Sequence, residues 1–235
     1  MLSSSHLWAV VPAKDLAQAK QRLAGILSPE ERQGLARAML EDVLTALADV
    51  PALAGTIVVT REAALAGTAR SFGARVISDL RHDGPNAAVM LAARELAAEG
   101  AAGMLAILAD VPLATAAEIG EVSAAMGRRP TVSLVPALAD MGTNAVALFP
   151  TDAIPIRFGK QSFFHHLEAA LDRGITPRIL RLHGIGLDID RPEDLAAFLA
   201  AGSATRSHAF LDRCGVKTRL LTANSDDRRK AHDPR

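Results

Sequence analysis

The sequence predicts a three-layer α/β/α domain built on a mostly parallel sheet, and three observations carry that expectation. The first is Met104-Leu105-Ala106-Ile107-Leu108-Ala109-Asp110-Val111-Pro112, an apolar run that ends on a carboxylate and is stopped by a proline. A run this short without polar alternation suits a strand buried on both faces. The second is the alternation of such runs with helix-length segments, the pattern of parallel strands joined by helices. The third is composition. Of 235 residues, 49% are hydrophobic and 22% charged, enough apolar material to cover one large sheet.

The elements follow in order. Leu7 to Ala13 reads as the first strand. Ser28-Pro29-Glu30-Glu31 opens a helix to about Asp49, with capping-box spacing between Ser28 and Glu31 and proline at the tolerated first position. Thr56 to Thr60 is a β-branched strand, a helix closed by Gly73 follows, and Arg75-Val76-Ile77 is a third strand. After a polar turn, Asn86 to Glu99 is an Ala-rich helix, and the central run ends at Asp110. Thr115 and Glu118 have capping-box spacing for the next helix. Thr131 to Val135 and Asn144 to Phe149 are strands, Gln161 to Arg173 a helix, and Arg178 to Leu182 a late strand. Leu187-Asp188-Ile189-Asp190 is a short extended piece, and a last helix runs from Arg191 to Ala200. Residues 1–202 form the predicted domain. Residues 203–235 are polar, basic and aperiodic, and read as a mobile tail in which only the stretch near Phe210 to Leu221 is a candidate for docking.

Composition excludes several functions. Lys plus Arg and Asp plus Glu number 26 each, so no net charge draws the chain to nucleic acid or an anionic membrane. Aromatic residues are 3%, too few for a base-stacking platform. The single cysteine, Cys214, rules out an intrachain disulfide. The first residues lack a signal-peptide pattern and no apolar stretch approaches the ~20 residues of a membrane span, so the cytoplasm is the expected setting.

The candidate chemistry lies at the strand ends. Asp110 follows the central strand, where open α/β sheets bind ligands, although aspartate there could equally serve a turn. Asp188 and Asp190, two apart in an extended piece, point the same way. Three oxygen donors without a matching cysteine or histidine suit Mg²⁺ better than zinc. Asp190 with Glu193 also has capping-box spacing, so both readings of Asp190 stand. Lys14, Lys20 and Arg22 follow the first strand, where a cationic loop could wrap a polyanion. No G-x-x-x-x-G-K-[ST] and no G-x-G-x-x-G is present. Asp140-Met141-Gly142-Thr143-Asn144 precedes a strand and Phe158-Gly159-Lys160-Gln161-Ser162 precedes a helix; each reads either as turn chemistry or as an anion cradle. His165 and His166 carry no assigned role.

Taken in order, Val10-Val11-Pro12-Ala13-Lys14 with Ala19-Lys20-Gln21-Arg22-Leu23, Ala109-Asp110-Val111-Pro112, Gly142-Thr143-Asn144-Ala145, Phe158-Gly159 with Ser162-Phe163, and Leu187-Asp188-Ile189-Asp190 with Pro192-Glu193-Asp194-Leu195 resemble the guanylyltransferases of coenzyme F420 biosynthesis. The resemblance spans about Leu7 to Ala200. It implies a nucleotide-diphospho-sugar transferase-like fold and Mg²⁺-dependent transfer of GMP from GTP to phosphoenolpyruvate or 2-phospho-L-lactate, with pyrophosphate released. It also implies that Asp110, Asp188 and Asp190 hold metal, that Lys14, Lys20 and Arg22 meet the triphosphate, and that Thr143, Gly159 and Ser162 grip the acid. Asn86 falls in the segment lining the guanine pocket, and a homodimer is an open expectation. The chain departs from the family pattern at Met141, the first of two glycines elsewhere, at Pro85, where leucine is usual, and at Lys160-Gln161, where a second glycine is common. Rival readings are another acceptor such as 3-phosphoglycerate, another nucleotide such as CTP, a glycosyltransferase using Asp188-Ile189-Asp190, and a non-catalytic nucleotide sensor.

Overall fold

The computed structural model describes residues 7–13, 16–78, 84–124 and 130–220. Its strands are β1 (Leu7–Pro12), β2 (Leu53–Val59), β3 (Arg75–Ile77), β4 (Gly103–Ile107), β5 (Thr131–Pro136), β6 (Thr143–Phe149) and β7 (Arg178–Ile179). They join in one sheet in the order β3-β2-β1-β4-β6-β5-β7, with β6 antiparallel to both its neighbours and the other pairings parallel. The chain leaves β1 toward β2 on one side and later crosses from β3 to β4 on the other, which puts a topological switch point at the carboxyl ends of β1 and β4.

The helices are α1 (Pro29–Ala48), α2 (Ala63–Ser71), α3 (Gly84–Ala98), α4 (Ala116–Ser123), α5 (Ser162–Leu171), α6 (His183–Gly186), α7 (Pro192–Ala201) and α8 (Arg206–Arg213). Alternate strand residues face opposite layers. Ala9, Val11, Leu105 and Ile107 pack with Val43, Leu44 and Leu47 of α1 and with Ile119 of α4. Val10, Met104 and Ala106 pack with Val89, Ala92 and Leu96 of α3 and Phe163 of α5. Strands buried on both faces are the reason the central run carries no polar residue. The Ser28–Glu31 capping box forms, with Glu31 N–H donating to Ser28 Oγ and Ser28 N–H to Glu31 Oε2.

Three local readings change. The late strand shrinks from Arg178 to Leu182 down to β7, and residues 183–186 form a helical turn after it. Thr115 caps α4, but Glu118 turns away from its own helix and accepts the N–H groups of Gly184 and Ile185 at 2.8 and 3.1 Å, holding α6 instead. The boundary at residue 202 also moves. Helix α8 and residues 216–220 pack onto the domain, burying Leu211, Val216 and Leu220 against Leu35 and Met39 of α1 and Phe198 of α7. Leu211, Val216 and Leu220 fall in the stretch that the sequence marks as the candidate for docking, and Asp42 of α1 accepts the first N–H groups of α8. Residues 221–235 lie outside the described residues.

Arg219 fastens this segment. Its guanidinium donates to both Glu31 oxygens at 2.7 and 2.9 Å and to the carbonyl of Ile26 at 2.8 Å. Arg219, opposed by burial and helped by the Ser28 N–H, holds the Glu31 carboxyl down at about 2, below its ordinary 4.5. A carboxyl depressed in the folded state contributes stability above its unfolded value, and that contribution is lost as pH falls through the folded one. Arg219→Met therefore lowers the melting temperature at pH 7, and the gap to wild type narrows as pH falls from about 4.5 to about 2. A gap unchanged across that window in thermal melts would contradict the pairing.

Candidate active site

A cleft of about 650 Å³ opens at the carboxyl ends of β1 and β4. Nine of the predicted residues line it: Lys20, Arg22, Asn86, Asp110, Thr143, Gly159, Ser162, Asp188 and Asp190. Lys14 lies outside the described residues.

One apolar cluster assembles the charged end. Leu187 and Ile189 bury with Leu23, Leu195 and Phe198. Because alternate residues of an extended segment face opposite ways, Asp188 and Asp190 are turned to the cleft. Leu23, in the same cluster, anchors the loop that carries Lys20 and Arg22. Ile189 N–H donates to the Asp110 carbonyl at 3.0 Å, which sets the two acidic segments side by side. Lys20 Nζ then donates to Asp110 Oδ2 at 2.6 Å and Asp190 Oδ1 at 2.7 Å, while Arg22 reaches Asp190 Oδ2 at 3.4 Å. Burial acts against the Lys20 charge, yet Asp110 and Asp190 outweigh it and hold its pKa above the ordinary lysine value.

The capping alternative for Asp190 is resolved by a neighbour. Asp194, not Glu193, accepts the N–H groups of Asp190 and Arg191 at 3.1 and 2.8 Å, leaving the Asp190 side chain to the cleft. Asp188 accepts from Asn144 Nδ2 at 3.0 Å. Its pKa is raised to about 6, first by burial, then by the Asp110 charge, with Asn144 pulling the other way. The three expected carboxylates share the cleft, two of them bridged by the Lys20 ammonium and Asp188 beside the pair. Among the described residues no group of three or more His, Cys, Asp or Glu is arranged to hold a metal ion. Asp110 Oδ1 is nevertheless buried without a hydrogen-bond partner.

The other end is built from two loops. The carboxylate of Asp140 accepts Gly142 N–H at 2.9 Å, shaping the turn into β6. Gly159 precedes α5, whose first residue, Ser162, is fully buried with an unpartnered Oγ. Asn86 lines the cleft, but its Oδ1 accepts Phe158 N–H at 2.6 Å and its Nδ2 donates to the Phe158 carbonyl at 3.2 Å. Both of its polar groups brace this loop.

Two residues were missed. Asn144 is buried and its Nδ2 lies 2.9 and 3.1 Å from the carbonyls of Ile185 and Gly186, tying β6 to the turn that precedes Asp188. His166, fully buried, lies 3.0 Å from Thr143 Oγ1 through Nδ1 and accepts Arg157 N–H at 2.9 Å through Nε2. The Thr-Asn pair and the spacing of His166 from Ser162 were the only signals available.

The non-glycine residues with positive φ among the described residues are Lys20, Met141 and Gln161, at 50°, 59° and 55°. Met141 and Gln161 are two of the positions at which the resemblance leads one to expect glycine nearby. The left-handed backbone is kept there without glycine, a strain of order 1 kcal/mol that persists where loops are over-determined.

The sheet order and the cleft define the class. The fold is the nucleotide-diphospho-sugar transferase-like fold, and it is shared with 4-diphosphocytidyl-2C-methyl-D-erythritol synthase of Anaerococcus prevotii (TM-score 0.61, 11% identity, 89% of this chain and 97% of that one). It is shared also with a nucleotidyl transferase of Methanothermobacter (TM-score 0.58, 19% identity, 88% and 99%). The model of the family described as guanylyl transferase CofC-like matches residues 7–232, and the chain belongs to that family of nucleotidyltransferases. It is 39% identical to a phosphoenolpyruvate guanylyltransferase of Rubrobacter xylanophilus over 83% of this chain and 95% of the relative. Against the Sphaerobacter thermophilus protein of the same name the figures are 41%, 80% and 89%. No helix among the described residues is long and apolar enough to cross a membrane.

Proposed function

We propose that the chain transfers GMP from GTP to the phosphate of a small three-carbon phospho-acid and releases pyrophosphate, as a step of coenzyme F420 biosynthesis. The acid is phosphoenolpyruvate or 2-phospho-L-lactate; the Rubrobacter and Sphaerobacter relatives are named for the former, which favours it. The observation that supports this reading best is a cleft with a charged end, where cations and carboxylates meet, and an anion-seeking end opposite. Lys20 and Arg22 stand with the carboxylates at one end, and Ser162, with its unpartnered buried hydroxyl, opens α5 at the other. A helix N-terminus with an unspent hydroxyl suits an anionic acceptor.

An acceptor phosphate oxygen attacks the α-phosphorus of GTP. The new P–O bond forms as the bond to the α–β bridging oxygen breaks, and its electron pair leaves on pyrophosphate. The attacking oxygen is already anionic at neutral pH, so no general base is required. The barrier lies in bringing anions together, and Lys20 and Arg22 offset that charge while the two loops align the reactants. Asp110, Asp188 and Asp190 offer oxygen only, and the orphaned Asp110 Oδ1 fits a hard cation. These three would hold Mg²⁺, which when bound supplies positive charge to the phosphates and the leaving pyrophosphate.

The test is pyrophosphate release from GTP with Mg²⁺, offering phosphoenolpyruvate, 2-phospho-L-lactate and 3-phosphoglycerate separately, with ATP and CTP as nucleotide controls. Release with GTP and one of the first two acids, abolished by EDTA and restored by Mg²⁺, is expected. Release only with 3-phosphoglycerate or only from CTP would replace the acceptor or the nucleotide. Tight GTP binding without release from any acid would favour a sensor.

A further inference from the structure

Thr143 begins β6 and His166 lies in the second turn of α5, so their contact joins the two loops of the acceptor end. Backbone N–H groups only donate, so Nε2 of His166, facing Arg157 N–H at 2.9 Å, is an acceptor. In a neutral imidazole the proton then resides on Nδ1, and Nδ1–H donates to Thr143 Oγ1 at 3.0 Å. Burial, with His165 nearby, lowers the pKa of His166 to about 4, in keeping with the neutral ring. With its oxygen already accepting from His166, Thr143 has its own proton to give.

We propose that His166 is a positioning residue for the acceptor: it supplies Nδ1–H to Thr143 Oγ1, so that the threonine O–H is delivered to the phospho-acid as a donor. This rests on the function proposed above. Arg157 N–H on Nε2 fixes the ring from its other side, and Phe158, edge-on to the imidazole at 5.8 Å, is held at its backbone by Asn86. The loop that contains Gly159 is thus braced from α3 and α5 together.

The test compares His166→Phe, His166→Asn and Thr143→Val, with a Thr143→Val/His166→Phe double variant, after circular dichroism has shown that each folds. His166→Phe keeps a ring without the donor. It raises the KM of the phospho-acid about fivefold to tenfold, the worth of one net hydrogen bond, with the KM of GTP within about twofold of wild type. Asparagine places an amide N–H near the Nδ1 position and recovers most of that loss. In the Thr143→Val background the His166→Phe change adds less than about twofold, because its route of action is gone. Equal increases in both KM values, or full additivity in the double variant, would overturn the proposal and leave His166 as packing. Long-range ¹⁵N NMR of the wild type reads the tautomer without turnover: protonated Nδ1 is expected, and protonated Nε2 would also overturn it. Silence of the wild type with every acid, with Nδ1 protonated, would instead sink the acceptor reading on which the purpose of the contact depends.

Discussion

Asp110→Asn lowers turnover at least ~10²-fold while leaving the melting temperature close to wild type, an effect comparable to losing one strong transition-state contact. The exchange keeps the shape of the side chain and removes its negative charge. In the wild type, Oδ2 takes a hydrogen bond from the buried Lys20 ammonium and Oδ1 is buried without a partner. The amide retains a polar atom in each place but offers only one oxygen, a weaker partner for a divalent cation. Lys20 keeps Asp190 as counter-charge, so the fold survives the change. Initial rates of pyrophosphate release, read beside thermal melts, separate the two effects. Turnover near wild type would remove Asp110 from the chemistry and return it to the role of a strand-end turn residue.

Asp42→Ala is expected to cost about 3 kcal/mol of stability, because one buried carboxylate satisfies three donors. Asp42 faces outward from α1; its Oδ1 accepts Arg206 N–H at 2.7 Å, and its Oδ2 accepts Ser207 N–H at 2.9 Å and Ser207 Oγ–H at 2.6 Å. Those N–H groups belong to the first turn of α8, where a helix has no internal acceptors. The Thr205 hydroxyl serves His208 N–H, so alanine at 42 strands the N–H groups of Arg206 and Ser207. Gly34 of α1 admits the Phe210 ring so closely that a β-carbon there would clash with it, and Leu211 completes the contact in the core. Urea unfolding should show the loss, and limited proteolysis should cut residues 203–220 in the variant before the rest of the domain. Asp42→Asn, which keeps one acceptor, should fall between the two. A loss below about 1 kcal/mol with unchanged proteolysis would mean that α8 is held by its apolar face alone.

The two variants divide the molecule into what a local pattern can reveal and what it cannot. The cleft loops were legible because each carries its signal within a few residues: a cationic stretch after a strand, a glycine before a Thr-Asn pair, a glycine before a helix. Leu187-Asp188-Ile189-Asp190 was legible for the same reason, since alternation alone turns both acids one way. Ambiguity remained wherever two local patterns overlapped. Asp190 could cap α7 or face the cleft, and the answer came from Asp194, four residues on. Glu118 had capping-box spacing and was diverted to Gly184, because a buried turn with free N–H groups was a better use of its charge.

The sequence by itself determined the layers, the order of most elements, the Ser28–Glu31 cap and which loops gather at the ends of β1 and β4. Short-range periodicity and turn chemistry carry that information because they act between residues a few positions apart. Tertiary structure alone decided that Lys20 bridges Asp110 and Asp190, that Asn86 braces Phe158, that Asp42 holds α8, and that His166 meets Thr143. Lys20 lies 90 and 170 residues from its partners and Asp42 lies 165 from Ser207. Each of these contacts depends on where the chain returns after crossing the sheet. Their energy comes from burial of a paired polar group, which no window of sequence can register until the partner is in place.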